Sequence, residues 1–353
     1  MTATDEKWIQ KYVVSTDRSG DIHVHVQGDL SQQDKRCVFL TVHDLGTNHT
    51  SMVDFVNCPA MSEIKERSCF IHVDVPGHEE NSPDLPESYP FPSLQTLGED
   101  MITVLDFLNV RYAVGLGEGA GANVLARCGQ AHPRRLLGLI LVNCTASTSS
   151  VADAFRSRFS RWRGTDISQS EEDFLIYHKF GHVSYTSHEI PHCRYQQIPS
   201  DSCEVAERDR TLAEYRSRLR GNLNTHNIKQ YVRAFIHRKD LVLRGCRPDI
   251  LLITGTQSPY AGVVEKMYKE LDKDKVTILK VDKVGDVLAE APAKVAQSLL
   301  LFCQGQGLLT SLPPPGVERR MSRAMSMEEY DKPNIRRLSL TPNTSESPAP
   351  RKL

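Results

Sequence analysis

Hydrophobic and polar positions along the chain follow two alternating rhythms. Eight short apolar or β-branched runs read as strands: Lys11–Ser15, Ile22–Gln27, Cys37–Val42, Phe70–Val75, Ala113–Leu116, Leu137–Val142, Ile250–Thr254 and Val276–Val281. Between the later runs, apolar residues recur at helical spacing over Leu94–Leu108, Asn123–Ala131, Val263–Leu271 and Ala289–Phe302. The first two runs lie close together, as in a hairpin. The later ones are almost continuously apolar, as strands buried on both faces of a parallel sheet are. This alternation predicts an α/β fold with a mostly parallel central sheet and helices on both faces.

Two stretches break the rhythm. Over about 145–244 the chain carries Arg/Glu-rich helical patterns, "VAERDRTLAEYRSRLRG" and "NIKQYVRAFIHRKDLVL", without a convincing strand. A helical cap inserted between two strands accounts for it, and such caps sit over the carboxyl ends of the strands, where open α/β sheets keep their sites. Residues 311–353 hold seven prolines, one aromatic residue and six of Val, Ile and Leu. That segment cannot bury enough apolar surface to offset its ordering entropy. The expected organisation is therefore a folded domain over 1–310 and a disordered tail over 311–353.

Composition narrows the class. With 353 residues, 39% of them hydrophobic, the chain can bury a sizeable core. A net charge of −1 gives no electrostatic reason to expect nucleic acid. Nine cysteines without a C-x-x-C pair read as reduced thiols, and no apolar run approaches a membrane span. The N-terminus, "MTATDEKWIQKYVV", lacks the apolar block of a signal peptide. A cytoplasmic protein is expected.

The chemistry-bearing stretch is "YAVGLGEGAGANVL", 112–125, a strand that turns through glycines into a helix. A dinucleotide-binding turn would need G-x-G-x-x-G and an acidic residue about twenty positions on; between Gly119 and Ala152 there is no Asp or Glu. The alternative is the nucleophile elbow G-x-S-x-G of the α/β-hydrolases, filled here by Gly117, Glu118, Gly119, Ala120 and Gly121. Upstream, "FLTVHDLGTNH" ends a strand in His43 and Asp44, where these enzymes keep their oxyanion loop.

At the level of motifs the chain resembles the N-myc downstream-regulated (NDRG) family, a branch of the α/β-hydrolase superfamily. The resemblance rests on "TVHDLGTNHTS", "HVDVPGHEE", "YPFPSLQTLGEDM", "GLGEGAGANVLAR", "LLGLILVN", "LLITGTQSP" and "LDKDKVTILKV", and spans roughly residues 10–308. It implies an α/β-hydrolase fold without catalysis and roles in stress response, differentiation or trafficking. The cap segment "VADAFRSRFSRW" lacks the family's usual tryptophan-rich start, and the tail lacks the serine/arginine repeats of some members.

The residues themselves argue against a triad. The nucleophile position is Gly119; the acid loop, Gly255–Tyr260, offers Ser258 but no carboxylate; the slot for the base holds Asp286, and no histidine follows His237. A residual pocket would be lined by His43, Asp44, Glu118 and Ser258, which leaves open a ligand-binding module or weak hydrolase. "HEIPH", 188–192, matches a zinc-protease motif, but Pro191 opposes the helix that would place both histidines on one face. The interleaved charges around Arg208, Arg210, Arg216, Arg218 and Arg220 read as a solvated helix face laced with weak ion pairs. In the tail, "RRMS", "RAMS" and "RRLS" place arginine three residues before Ser322, Ser326 and Ser339, a pattern for basophilic kinases. The expected partners are proteins and basophilic Ser/Thr kinases, with no nucleic acid, no membrane-spanning segment and at most peripheral contact with a membrane. No cofactor or metal is expected, and the oligomeric state is open.

Overall fold

The structure, a computed structural model, describes residues 9–147, 167–181 and 202–314. The strands are β1 (Ile9–Thr16), β2 (Gly20–Gln27), β3 (Cys37–Val42), β4 (Ser68–Asp74), β5 (Ala113–Glu118), β6 (Leu136–Val142), β7 (Asp249–Gly255) and β8 (Val276–Val281). They form one sheet in the order β1-β2-β4-β3-β5-β6-β7-β8. β1 pairs antiparallel with β2, and β2 antiparallel with β4; every other pairing is parallel. The predicted hairpin and the predicted parallel sheet are both present.

The helices are α1 (His49–Asn57), α2 (Ser62–Glu66), α3 (Leu94–Phe107), α4 (Gly119–Ala131), α5 (Gln169–Phe180), α6 (Ser202–Gly221), α7 (Thr225–Ile236), α8 (Ala261–Glu270), α9 (Val287–Glu290) and α10 (Pro292–Gly305). The strands' alternating side chains feed two separate cores. On β3, Val38, Leu40 and Val42 enter one core with residues of α3 and α4, while Cys37 and Phe39 enter the other with residues of α1 and α10. Burial on both faces is the reason the parallel strands read as continuous apolar runs.

Three details depart from the sequence expectation. α1 was not anticipated; Asn48 caps it, its side chain accepting from Thr50 N. α4 begins at Gly119, four positions before the predicted start, because glycines that read as a turn already belong to the helix. Folded structure also passes the predicted boundary at 310: Ser311 and Leu312 are buried, and Gln304 Nε2 donates to the Leu312 carbonyl at 2.8 Å. The kinase motifs at Ser322, Ser326 and Ser339, and "HEIPH" in the cap, lie outside the described residues.

The helices α5, α6 and α7, inserted between β6 and β7, close over the carboxyl ends of the strands. Asn227 on α7 ties the turn after β4, donating to the Gly77 and Pro83 carbonyls at 3.0 and 2.9 Å and accepting from Leu85 N at 2.9 Å. The arginines of α6 form the expected solvated face laced with ion pairs, but most of those pairs run to other helices. Arg216 and Arg220 both grip the buried Glu172 of α5, at 3.1 and 2.5 Å, and Arg218 reaches Asp54 at 2.7 Å. Arg210 makes the weak intrahelical pair expected of the set, with Glu214 at 3.1 Å. No helix among the described residues is long and apolar enough to cross a membrane.

Candidate functional site

The turn from β5 into α4 places Gly119 at φ +52°, in the left-handed region that disfavours side chains. Sterics there are decisive in a second way. A Cβ added at Gly119 would overlap the carboxylate of Asp44, which fills the space beside the turn. Gly121 serves close approach: a Cβ there would collide with the Val42 and His43 carbonyls, so α4 packs directly on the end of β3.

Asp44 is brought to this point by the loop leaving β3, and every atom of its carboxylate is engaged. Oδ1 accepts from Leu45 N at 2.7 Å and from Ala120 N at 2.8 Å. The N-terminus of α4, with its positive dipole end, thus faces a resident anion. Oδ2 accepts from His178 Nε2 at 2.8 Å, and His178 Nδ1 meets the Tyr260 hydroxyl. Burial alone would raise the Asp44 carboxyl, but His178, Lys179 and the Ala120 N–H hold it down to about 2. Asp44, His178 and Tyr260 are all buried, so this chain of bonds has no open end facing a substrate.

Beside it lies a second ionic group. Lys179 Nζ, adjacent to His178 on α5, donates to both oxygens of Glu118 at 2.8 and 2.9 Å and sits 3.0 Å from Asp286 Oδ2. Asp286 also caps α9 through Oδ1, accepting from Leu288 N and Ala289 N at 3.1 and 3.3 Å. Burial opposes the Lys179 charge, yet Asp286 and Glu118 hold its pKa well above that of an ordinary lysine. Burial pushes the Glu118 carboxyl up to about 8 against the pull of Lys179, with repulsion from Asp286 and Asp44 adding to the rise. Lys179 is thus one cation between two buried carboxyls.

Of the four pocket residues expected from sequence, Glu118 lines a cleft of about 500 Å³, together with Lys179, Asp286, Phe55, Tyr215 and Leu223. The other three do not. His43 is sealed behind the turn, its Nδ1 donating to the Asp44 carbonyl at 2.8 Å and its Nε2 accepting from Val75 N at 3.1 Å. Burial holds its pKa below the ordinary histidine value. Ser258 is a turn residue whose Oγ accepts from Tyr260 N at 3.2 Å. His178 and Lys179 were missed because a base was sought only after the last strand, while both come from the cap. The pair "HK" beside the apolar run Phe174–Ile176 was the available signal.

One cluster among the described residues has metal-ligand spacing: His25, His49 and Asp74, whose donor atoms lie within 4.8 Å of one another. Asp74 Oδ2 accepts from His25 Nε2 at 3.1 Å and His49 Nδ1 at 2.7 Å. The two imidazoles are stacked, 3.5 Å apart and 9° from parallel. A ring nitrogen binds a metal in its own plane, so face-to-face rings do not converge on one ion. The arrangement is a shared carboxylate.

Comparison with known proteins agrees with this architecture. Residues 12–310 match the Ndr family. A Caenorhabditis elegans protein, ZK1073.1, is 38% identical over 94% of this chain and 95% of its own length. Protein NDRG3 of Xenopus laevis is 29% identical over 87% of this chain and 78% of its own. Among solved structures, a thermophilic esterase from Thermogutta terrifontis superposes with a TM-score of 0.63 at 15% identity, covering 84% of this chain and 98% of the esterase. A hydrolase from Pseudomonas aeruginosa gives 0.60 at 17% identity, covering 83% and 98%. At such identities the likeness establishes the fold, an α/β-hydrolase fold.

Proposed function

The chain belongs to the Ndr family, and on that premise we propose that it is a non-enzymatic adaptor whose hydrolase site has become part of its scaffold. One observation carries this reading: the Asp44 carboxylate. Hydrolases of this fold build their oxyanion hole from the N–H after the nucleophile and an N–H of the loop after the third strand. The corresponding donors here, on Ala120 and Leu45, are spent on Asp44 Oδ1. The same carboxylate fills the volume that a nucleophile's side chain would need at Gly119. Transition-state stabilisation by such a hole is worth about 10²–10³ in turnover per donor, and it requires the donors to be vacant.

On this reading the protein acts in the cytoplasm through protein partners, in stress response, growth and differentiation or trafficking. Phosphorylation of Ser322, Ser326 and Ser339 by basophilic kinases regulates it. Each phosphate adds about −1.5 to −2 charge, enough in combination to invert a tail of eight basic and five acidic residues. The test is a panel of ester substrates and a serine-reactive fluorophosphonate on the full chain, alongside partner capture before and after kinase treatment. No turnover, no labelling and phosphorylation-dependent capture support the proposal. Turnover that disappears in His178→Gln contradicts it.

A second reading keeps the neighbouring cleft as a ligand site. It is favoured by Tyr215, a buried wall residue whose hydroxyl has no hydrogen-bond partner among the described residues.

A further inference from the structure

Away from the elbow, a second cleft of about 490 Å³ opens between the start of α3 and the end of α7. Five basic residues line it, Arg127, Arg233, His237, Arg238 and Lys239, and no Asp or Glu does. Arg127 and Arg238 are the unusual members, only 3% and 7% exposed. A buried guanidinium ordinarily lies against a carboxylate, since an uncompensated buried charge is costly.

Neither has one among the described residues. Arg127 donates to Asn123 Oδ1 at 2.9 Å, to Gln95 Oε1 at 2.7 Å and to the Lys239 carbonyl. Gln95 in turn donates to Glu99 at 2.8 Å, whose carboxylate is held by Arg18 at 2.5 Å. Arg238 donates to the Phe235 carbonyl at 2.7 Å and to Thr145 Oγ1 at 2.5 Å, and its Nε has no partner. All these acceptors are neutral. Asp240 acts on both guanidiniums at a distance, but it is not part of the lining. Burial lowers both arginines, Arg238 to about 10; a guanidinium in a protein keeps its proton at neutral pH.

Three further features point the same way. The side chains of Arg233, His237 and Lys239 are exposed at the rim. α3 presents its N-terminus here, since Ser93, Leu94 and Gln95 all line the cleft. Phe91, Leu94 and Ala234 supply an apolar wall against which an organic body can rest. Volume and lining are those of a small-ligand site.

We propose that this cleft binds a soluble phosphomonoester, whose dianion supplies the countercharge that the described residues do not give Arg127 and Arg238, with Arg233 and Lys239 closing on it from the rim. The donors left for its oxygens are Arg238 Nε, which has no partner among the described residues, and the second proton on each of Arg127 Nη1 and Nη2; several converging N–H donors suit phosphate better than chloride.

The test is calorimetric titration of the full chain with inorganic phosphate and with glycerol 3-phosphate, at ionic strength matched with chloride. Saturable binding is expected, weakened about tenfold or more in Arg233→Gln/Lys239→Gln. Both side chains are exposed, so this variant keeps the fold. Arg238→Gln, checked for folding by circular dichroism, should lose binding altogether. A parallel arm uses phosphatidylcholine vesicles doped with a phosphomonoester headgroup. Saturation in solution that vesicles do not exceed supports the proposal; binding to vesicles with none in solution overturns it. No saturable binding, or equal affinity in the rim variant, also overturns it.

Discussion

Two buried cationic groups in this protein have been given opposite environments. Lys179, on cap helix α5, is held by the carboxyls of Glu118 and Asp286 at 2.8–3.0 Å. Arg127 and Arg238, at the far cleft, are held by carbonyls, amides and a hydroxyl. The first region satisfies itself; its neighbour Asp44 even occupies the N-terminus of α4 where an anion would be welcome. In the second, no carboxylate among the described residues bonds either guanidinium. Both sites sit in an α/β-hydrolase fold; beside the elbow the buried cation lies against carboxyls, while at the far cleft the described residues offer the guanidiniums only neutral acceptors.

The sharpest way to break that contrast is to remove the cations one at a time. Lys179→Met leaves Glu118 and Asp286 buried side by side, and denaturant unfolding should show a loss of about 3–5 kcal/mol, the usual cost of orphaning a buried charge. Arg238→Met removes a charge with no carboxylate bonded to it among the described residues, so the loss should be smaller, roughly 1–2 kcal/mol from hydrogen bonds and the contact over Phe235. Equal losses at the two positions would erase the distinction.

A gentler perturbation is pH. The Glu118 carboxyl stands at about 8 in the folded state, above the ordinary 4.5. A raised carboxyl favours the folded state while protonated, so its contribution is fully present below pH 4.5 and is lost as pH rises through about 8. The melting temperature should therefore decline from pH 5 to 8.5, on the order of a few degrees. Glu118→Gln should flatten that slope; an unchanged slope would assign it to another group. Asp44 runs the opposite way: its lowered carboxyl stabilises above the ordinary 3.8, and this is lost as pH falls through about 2.

The smallest expected effect is at the far cleft in wild-type protein. Phosphate at ten times its dissociation constant should stabilise by about 1.4 kcal/mol, read as a thermal shift that matched chloride does not give.

Much of the scaffold was legible beforehand. The runs Cys37–Val42, Ala113–Leu116 and Ile250–Thr254 are apolar at nearly every position because each faces both cores, and that signature needs no partner to be read. The elbow was legible as a shape, from its glycines. What fills it was not. Gly119 says that a side chain is absent, but not that Asp44, 76 residues earlier than Ala120, takes the space. His178 reaches Asp44 across 134 residues from a cap that carries none of the fold's motifs. Nor does any local pattern announce that, among the described residues, Arg127 and Arg238 meet only neutral acceptors, since the partner of a buried charge is a property of the assembled fold. Sequence period reports burial well; it reports the pairing of buried charges poorly.

The central claim is that Asp44 has taken the room of the nucleophile, and a double-mutant cycle measures it directly. Gly119→Ser should cost at least about 3 kcal/mol in the wild-type background, from the overlap with the Asp44 carboxylate and the left-handed backbone. In an Asp44→Gly background the overlap is gone, and the same substitution should cost only the backbone share, about 1–2 kcal/mol. Unfolding free energies for the four proteins that show this coupling would establish the claim. Equal costs for Gly119→Ser in both backgrounds would contradict it.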